Sequence, residues 1–273
     1  MDPRFRPAQQ TLIRGDVEAL RELLVRDSDL ATARSSCDHP TLMQCLVLSS
    51  PVVDSLEQLV QTLAEHRAEP IGPLIAAAGV NNVRAVTMLL DLGAAIEGNG
   101  RWSPLEEALY WGSADCLKLL LARGAAVDNL RKAAGTGDLG QIERSFNQNG
   151  SLTSAAGRIS WPFDKLELSP EVQIDSQQIV DNALVYAAAW GQLSAVDALL
   201  SHGARINAIP AGFDFAGTAL HYAALQGRRE MVDHLLNVGA DPSILDTKIQ
   251  ALPENWASHD GHYELAAYLH GKR

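Results

Sequence analysis

The feature that most constrains this chain is a frame of residues that returns at nearly constant spacing. One copy runs Gly217-Thr218-Ala219-Leu220-His221-Tyr222-Ala223-Ala224-Leu225-Gln226-Gly227, continues through Met231-Val232 and Leu235-Leu236, and closes on Gly239-Ala240-Asp241-Pro242. A second reads Ala183-Leu184-Val185-Tyr186-Ala187-Ala188-Ala189-Trp190-Gly191, then Val196, Leu199-Leu200 and Gly203-Ala204. Two more lie upstream: Ser103-Pro104-Leu105 through Trp111-Gly112 to Gly124-Ala125, and Pro73-Leu74-Ile75-Ala76-Ala77-Ala78 through Leu89-Leu90 to Gly93-Ala94. A chain written this way folds by burying each unit's apolar face against the next copy.

Within a copy, the first helix carries small pairs such as Ala187-Ala188 and Ala223-Ala224, and the second carries leucine pairs. Slim first helices approach one another closely while bulky second helices hold apart, so the stack curves with its first helices and loops on the concave side. The glycine before each closing alanine stands where a helix end needs a left-handed residue. Leu199, Leu200, Leu235 and Leu236 are expected to be buried between units, and the turns at Gly112, Gly191, Gly227 and Gly261 to follow one another along one face.

Weaker copies extend the array. Leu12 to Leu24 keeps Gly15, Leu20 and Leu23-Leu24; Leu130 to Ile142 keeps Ala133-Ala134 and Gly137; Leu252 to Leu269 keeps Gly261; residues 40–66 leave room for one further helix pair. The frame resembles the ankyrin repeat, whose usual form is G-T-P-L-H-x-A-A-x-x-G, then V-x-x-L-L, then G-A-D, most closely from residue 71 onward. The resemblance implies an all-α solenoid of about eight stacked helix-turn-helix units, a structural role for His221 in linking loop to helix, and protein partners.

The separating glycines also locate a departure. Gly112 and Gly137 are 25 residues apart and Gly137 and Gly191 are 54 apart, against a repeat of about 33. The organisation expected is therefore degenerate N-terminal repeats and a cap over 1–70, repeats over 71–146, an irregular insertion over 147–180 that divides the array, and repeats with a C-terminal cap over 181–273. The insertion holds Trp161-Pro162-Phe163, too apolar to leave in water, so it is expected to pack onto the array as a loop or lid.

The candidate binding surface follows from register. Residues just before each separating glycine, and just before each small pair, face the groove: Tyr110, Trp111, Tyr186, Trp190, Tyr222 and Trp256 are six of fifteen such positions in a chain with 5% aromatic residues. Large amphipathic rings on a concave face are the usual anchors of recognition. The leading reading is a protein-protein interaction module that grips an unidentified protein partner through this groove and the loops around Arg101-Trp102 and Phe213-Asp214-Phe215. The alternative is a small-molecule binder or enzyme, its pocket between repeats walled by Trp111, Lys132, Trp190, Trp161 and Phe163 and covered by the insertion. Were it an enzyme, Glu107 and Lys132, at equivalent positions one repeat apart, would be its acid and base. No nucleophile elbow or P-loop is present.

Composition narrows the partners. A net charge of -11 with no basic cluster speaks against nucleic acid and anionic membranes. His259 and His262 lack the further ligands a zinc site needs, so neither metal nor cofactor is expected. Cys37, Cys45 and Cys116 are too scattered for a disulfide framework. With 47% hydrophobic and 20% charged residues, no long apolar run and no apolar leader, a folded cytoplasmic protein is expected.

Overall fold

Ser103 opens the helix whose start is best marked. Its hydroxyl accepts from the Glu106 N–H, Glu106 in turn accepts from the Ser103 N–H at 2.8 Å, and Pro104 occupies the first turn, where no N–H is needed. Gly112, with a left-handed φ of 75°, ends it. The same grammar recurs along the chain. The computed structural model describes residues 3–34, 41–49, 54–100, 102–159 and 175–273, and among them are sixteen α-helices and no strand.

The chain divides into two compact units, Met1–Ala125 and Ala126–Arg273. In the first, helix pairs follow one another as α1 (Arg6–Arg14) with α2 (Val17–Arg26), α3 (Leu42–Ser49) with α4 (Leu56–Glu65), α5 (Ile71–Gly79) with α6 (Val83–Asp91), and α7 (Pro104–Trp111) with α8 (Ala114–Ala122). In the second come α9 (Leu130–Thr136) with α10 (Leu139–Arg144), and α11 (Ser176–Ala189) with α12 (Leu193–Ser201). The last pairs are α13 (Ala219–Leu225) with α14 (Arg229–Asn237), and α15 (Pro253–His259) with α16 (Tyr263–His270). Within each unit the first helices of successive pairs pack more intimately than the second helices do, as their alanine pairs require.

The core is a row of leucines that recurs in seven of the eight pairs, Leu24, Leu63, Leu89 and Leu120 in the first unit and Leu199, Leu235 and Leu269 in the second, all buried, while α10 contributes Ile142. The leucine pairs do not bury together as expected. Leu199 and Leu235 are fully buried, whereas Leu200 and Leu236 are half-buried, because adjacent helix residues point about 100° apart and only one can face the stack.

The turns are in register within the second unit. Gln192 lies over Gly137, Arg228 over Gly191 and His262 over Gly227. At Gly227 a φ of 63° and the His262 ring, 2.5 Å from where a Cβ would stand, both exclude a side chain. In the first unit Asn81, with φ 55°, takes the left-handed turn after α5. Asparagine tolerates that region, and its Oδ1 accepts from the Asp115 and Cys116 N–H groups, capping α8 of the next pair.

A polar ladder joins successive pairs. The residue before a second helix reaches back to a carbonyl near the end of the preceding first helix: Ser55 Oγ to Gly15, Asn82 Nδ2 to Val47, Ser113 Oγ to Gly79, Gln192 Nε2 to Gly135 and Arg228 Nε to Ala189. These carbonyls are among the orphans that every helix end leaves.

The structure divides the chain at Ala125–Ala126, before the 147–180 segment. The described beginning of that segment is a tight turn closed by an antiparallel bridge between Phe146 and Leu152, followed by a short 3₁₀ turn at Ser154–Ala156. It packs on α9 and α10, with Arg131 Nη1 donating to the Arg158 carbonyl at 2.6 Å and Thr153 Oγ1 to Arg144 at 2.8 Å. Its last residues are helical, since α11 begins at Ser176 behind an Asp175 cap. Trp161 and Phe163 lie outside the described residues.

Candidate functional site

In the second unit, three of the expected rings are brought together by a loop. Tyr186 of α11, Tyr222 of α13 and Trp256 of α15 stand one repeat apart, and Phe213 wedges between the first two, its ring centroid 5.2 Å from Tyr186 and 4.8 Å from Tyr222. Tyr222 meets Trp256 at 5.2 Å, and Phe215 meets Trp256 edge-on at 6.4 Å. Such offset and edge-to-face contacts are the favoured ones. Tyr186 and Trp256 are only 2% and 5% exposed, so they support the surface from below, while Phe215 is 43% exposed and Tyr222 half-buried. Trp190, at the C-cap of α11, is also half-buried.

The loop that presents Phe213 and Phe215 is tied to the start of α11. Asp181, fully buried, accepts from the Arg205 N–H at 2.8 Å and from the Arg205 guanidinium at 2.8 and 2.6 Å. Gln178 Oε1 accepts from the Ala211 N–H, and Asn182 Nδ2 donates to the Ala211 carbonyl. From the other side Tyr222 Oη donates to Phe215 O at 2.6 Å, and Lys248 Nζ lies 2.8 Å from Asp214 and 4.1 Å from the centre of the Phe215 ring. A cation over a ring face adds an electrostatic contact to the packing.

Asp246 anchors the following loop. It is fully buried and accepts from the Lys248, Ile249 and Ala251 N–H groups at 2.8, 2.8 and 3.1 Å and from Trp256 Nε1 at 2.9 Å. Burial pushes its carboxyl upward, but these donated bonds outweigh that and hold its pKa below the ordinary value. His221 has the structural role its motif implies. Its Nδ1 accepts from the Thr218 N–H at 3.1 Å, so the proton sits on Nε2, which faces the Ala251 carbonyl at 3.2 Å. Burial lowers its pKa and favours the neutral ring.

In the first unit the aromatics gather around a carboxylate. Glu107 accepts from the indole N–H groups of Trp102 and, at 3.0 Å, Trp111. Tyr110 stands edge-to-face to both, its centroid 6.1 Å from Trp102 and 5.1 Å from Trp111. Helical spacing alone puts Glu107 and Trp111 on one face. Room beneath comes from Gly79 of α5, where a Cβ would stand 2.8 Å from Glu107 Oε1 and 3.0 Å from Trp111 Cδ1. Burial raises the Glu107 pKa, against the lowering effect of the two indoles.

Glu107 and Lys132 belong to different units, and each is held within its own. Lys132 is 3% exposed, its Nζ 2.9 Å from Asp128 Oδ1 and 3.2 Å from the Ala126 carbonyl, an arrangement that fastens the loop before α9. Among the described residues no group of three or more His, Cys, Asp or Glu is placed to hold a metal ion. His262 packs on Gly227. Cys45 and Cys116 are buried; burial, with Asp115 nearby, pushes the Cys116 thiol up to about 11, which leaves it an unreactive thiol. Cys37 lies outside the described residues. Among the described residues no helix is long and apolar enough to cross a membrane.

A family model described as ankyrin repeats (3 copies) matches residues 11–131, 166–246 and 184–272. Among solved structures, a crystal structure of the human ASB11 ankyrin repeat domain is similar at 17% identity, covering 96% of this chain and 97% of that one, with a TM-score of 0.43. No curated protein matches the chain.

Proposed function

This chain belongs to the ankyrin-repeat family, and from that premise we infer that it is a recognition module that grips a protein partner through the aromatic-bearing first-helix side of its repeats. Ankyrin repeats are generally protein-protein interaction modules, and stacked repeats offer the extended surface such binding uses. The observation that carries the reading is the second unit's ring cluster: buried Tyr186 and Trp256 brace half-exposed Tyr222 and Phe215, so apolar rings are held open to solvent on a rigid support. Rings fixed in this way lose little freedom on binding, which is what makes aromatic anchors effective. Trp190, at the end of the first helix α11, is likewise half-buried. The pocket alternative needs Trp161 and Phe163 beside Trp111, Lys132 and Trp190, and those two lie outside the described residues.

The reading is tested by placing a photo-crosslinking residue at position 190 or 215, and at Val25, which is 79% exposed on a second helix. Expected are adducts to the same protein from 190 and 215 and none from 25. With that protein in hand, Trp190→Ala should weaken binding by about 2 kcal/mol while hardly moving the melting temperature. Crosslinking from position 25 alone would overturn the proposal, as would a Trp190→Ala variant that melts early yet binds normally.

A further inference from the structure

The helix pairs of the two units are tied along their second helices by different chemistry. In the first unit Arg84 of α6 lies 3.5 Å from Glu57 of α4, and Arg123, at the C-cap of α8, lies 3.1 Å from Asp91 of α6. In the second, His202, at the C-cap of α12, lies 3.3 Å from Glu143 of α10, and His234 of α14 lies 2.7 Å from Asp197 of α12. An arginine keeps its charge throughout, whereas a histidine ordinarily changes charge between about pH 5 and 8.

Both imidazoles face their carboxylates through Nε2. A neutral ring can donate one hydrogen bond from that atom, and protonation adds the charge that strengthens it. His202 gains a second contact in the same step. Its ring lies flat on Phe146, centroids 3.9 Å apart and planes within 1° of parallel, and a ring face attracts a cation. The two histidine side chains are 21% and 26% exposed, so their pairs are screened less than ones wholly in solvent.

The other charged groups on the packed helices have partners of their own. On α10 Arg144 donates to Gln141; on α14 Arg229 pairs with Asp233, and Glu230 is exposed. From α16, Tyr268 donates to Asp233 and carries Arg229 and Lys272 over its ring, while Glu264 is exposed. Behind these helices Asp181 of α11 is held by Arg205, and burial favours the neutral ring of His221 on α13. His262 and His270 pair with Asp260 and Glu254 inside the last helix pair and its turn, joining no two pairs.

We propose that the second-helix row of the second unit is a proton-operated clasp, in which protonated His202 and His234 bind α10, α12 and α14 more firmly together in mild acid. The first unit has arginine at its equivalent ties and lacks this response. Because α11 packs on α12 and α13 on α14, closing the clasp also steadies the first helices that carry Tyr186 and Tyr222. It does so whether or not those rings are a partner surface.

The test is amide hydrogen exchange of the full chain at about pH 8 and about pH 6, read by mass spectrometry and corrected for the intrinsic effect of pH. In the parent, α10, α12 and α14 should gain about threefold or more in protection at the lower pH. His202→Gln and His234→Gln keep a neutral side-chain donor, so the double variant should match the parent at the higher pH and lose the gain, with α4, α6 and α8 responding as in the parent. His234→Arg should give α12 and α14 high protection at both values. Should a histidine variant perturb folding, Glu143→Gln and Asp197→Asn remove the other half of each tie and must abolish the same gain. The proposal is overturned if the parent shows no gain, if the gain survives in the variants, or if the variants lose as much protection at the higher pH as at the lower.

Discussion

Each of the two units sets a carboxylate against aromatic rings, Asp246 fully buried and Glu107 half-buried, and they treat it in opposite ways. In the second unit, Asp246 receives three backbone N–H groups of its own loop and one indole, and its pKa falls below the ordinary value despite burial. In the first, Glu107 receives two indoles and no backbone donor, and burial raises its pKa. A turn can solvate a carboxylate with its own amides, because successive N–H groups converge on one point. Glu107 stands in the first turn of its helix, where the Glu106 N–H is taken by the Ser103 hydroxyl and its own N–H by the Ser103 carbonyl, so no converging amides reach its carboxylate. Asp246 is therefore a finished structural joint, whereas Glu107 is held, among the described residues, by two neutral indoles.

The largest effect that bears on the comparison lies in the packing. Leu89 and Leu235 occupy the same position of the frame, one in each unit, and both are fully buried. Leu89→Ala and Leu235→Ala should each cost about 2 to 5 kcal/mol in urea unfolding. Similar losses would show that the units share one apolar architecture and differ in their polar joints. If either substitution left the midpoint unchanged, that leucine would not be a core residue and the frame would not describe its unit.

Next in size is the pair of carboxylates themselves. Asp246→Asn keeps one acceptor oxygen but turns an amide NH₂ toward groups that can only donate, and should cost about 2 to 3 kcal/mol at neutral pH. The sign with pH follows from the direction of the shift. A carboxyl whose folded pKa is depressed stabilises the fold above its unfolded value, ordinarily 3.8, and that contribution is lost as pH falls through the folded value. The difference between parent and Asp246→Asn should accordingly shrink below pH 3.8. Glu107 works the other way: its ionised form costs stability above its raised folded pKa, and the cost fades as pH falls toward the ordinary 4.5. Glu107→Gln should remove this mild-acid gain. Acid titrations of the two variants that run parallel would break the contrast between the sites.

Much of the fold was legible because its signals are backbone requirements. A left-handed turn needs glycine or asparagine, and close first helices need alanine, so Gly112, Gly137, Gly191, Gly227 and Ala187-Ala188 mark the units without reference to partners. Asn81 was missed for the same reason that it works: it meets the glycine requirement without being glycine, and adds a cap that links two pairs. The start of α11 was hidden by counting between glycines, although Asp175 followed by Gln178 is a helix-opening pattern and Asp175 does cap that helix. Of the site, register identified Tyr186, Tyr222 and Trp256 as neighbours, but alternation could not separate bracing rings from open ones, because that depends on Phe213 arriving from a distant loop. Asp246 carries no spacing signal, since its donors are backbone amides and any residues could supply them.

The smallest effect concerns the polar ladder, and it separates the units most finely. Ser113 Oγ, in a residue only 4% exposed, donates to the Gly79 carbonyl at 2.7 Å, whereas Gln192 Nε2 reaches the Gly135 carbonyl at 3.3 Å from a half-buried residue. A hydrogen bond contributes about 1 kcal/mol net, and more is lost when a buried acceptor is stranded than when water can take the vacated place. Ser113→Ala should thus cost about 1 to 2 kcal/mol, and Gln192→Ala about 0.5 kcal/mol or less, offset further by the side-chain freedom that glutamine no longer gives up. The Ser113 bond matters doubly, because the Gly79 it holds is the floor beneath Glu107. Loosening that floor should shift the Trp111 indole N–H signal in Ser113→Ala, while Gln192→Ala leaves it in place. Equal costs for the two substitutions, with the Trp111 signal unmoved in both, would mean that the ladder is a uniform repeat feature and that Glu107 is held by its indoles alone.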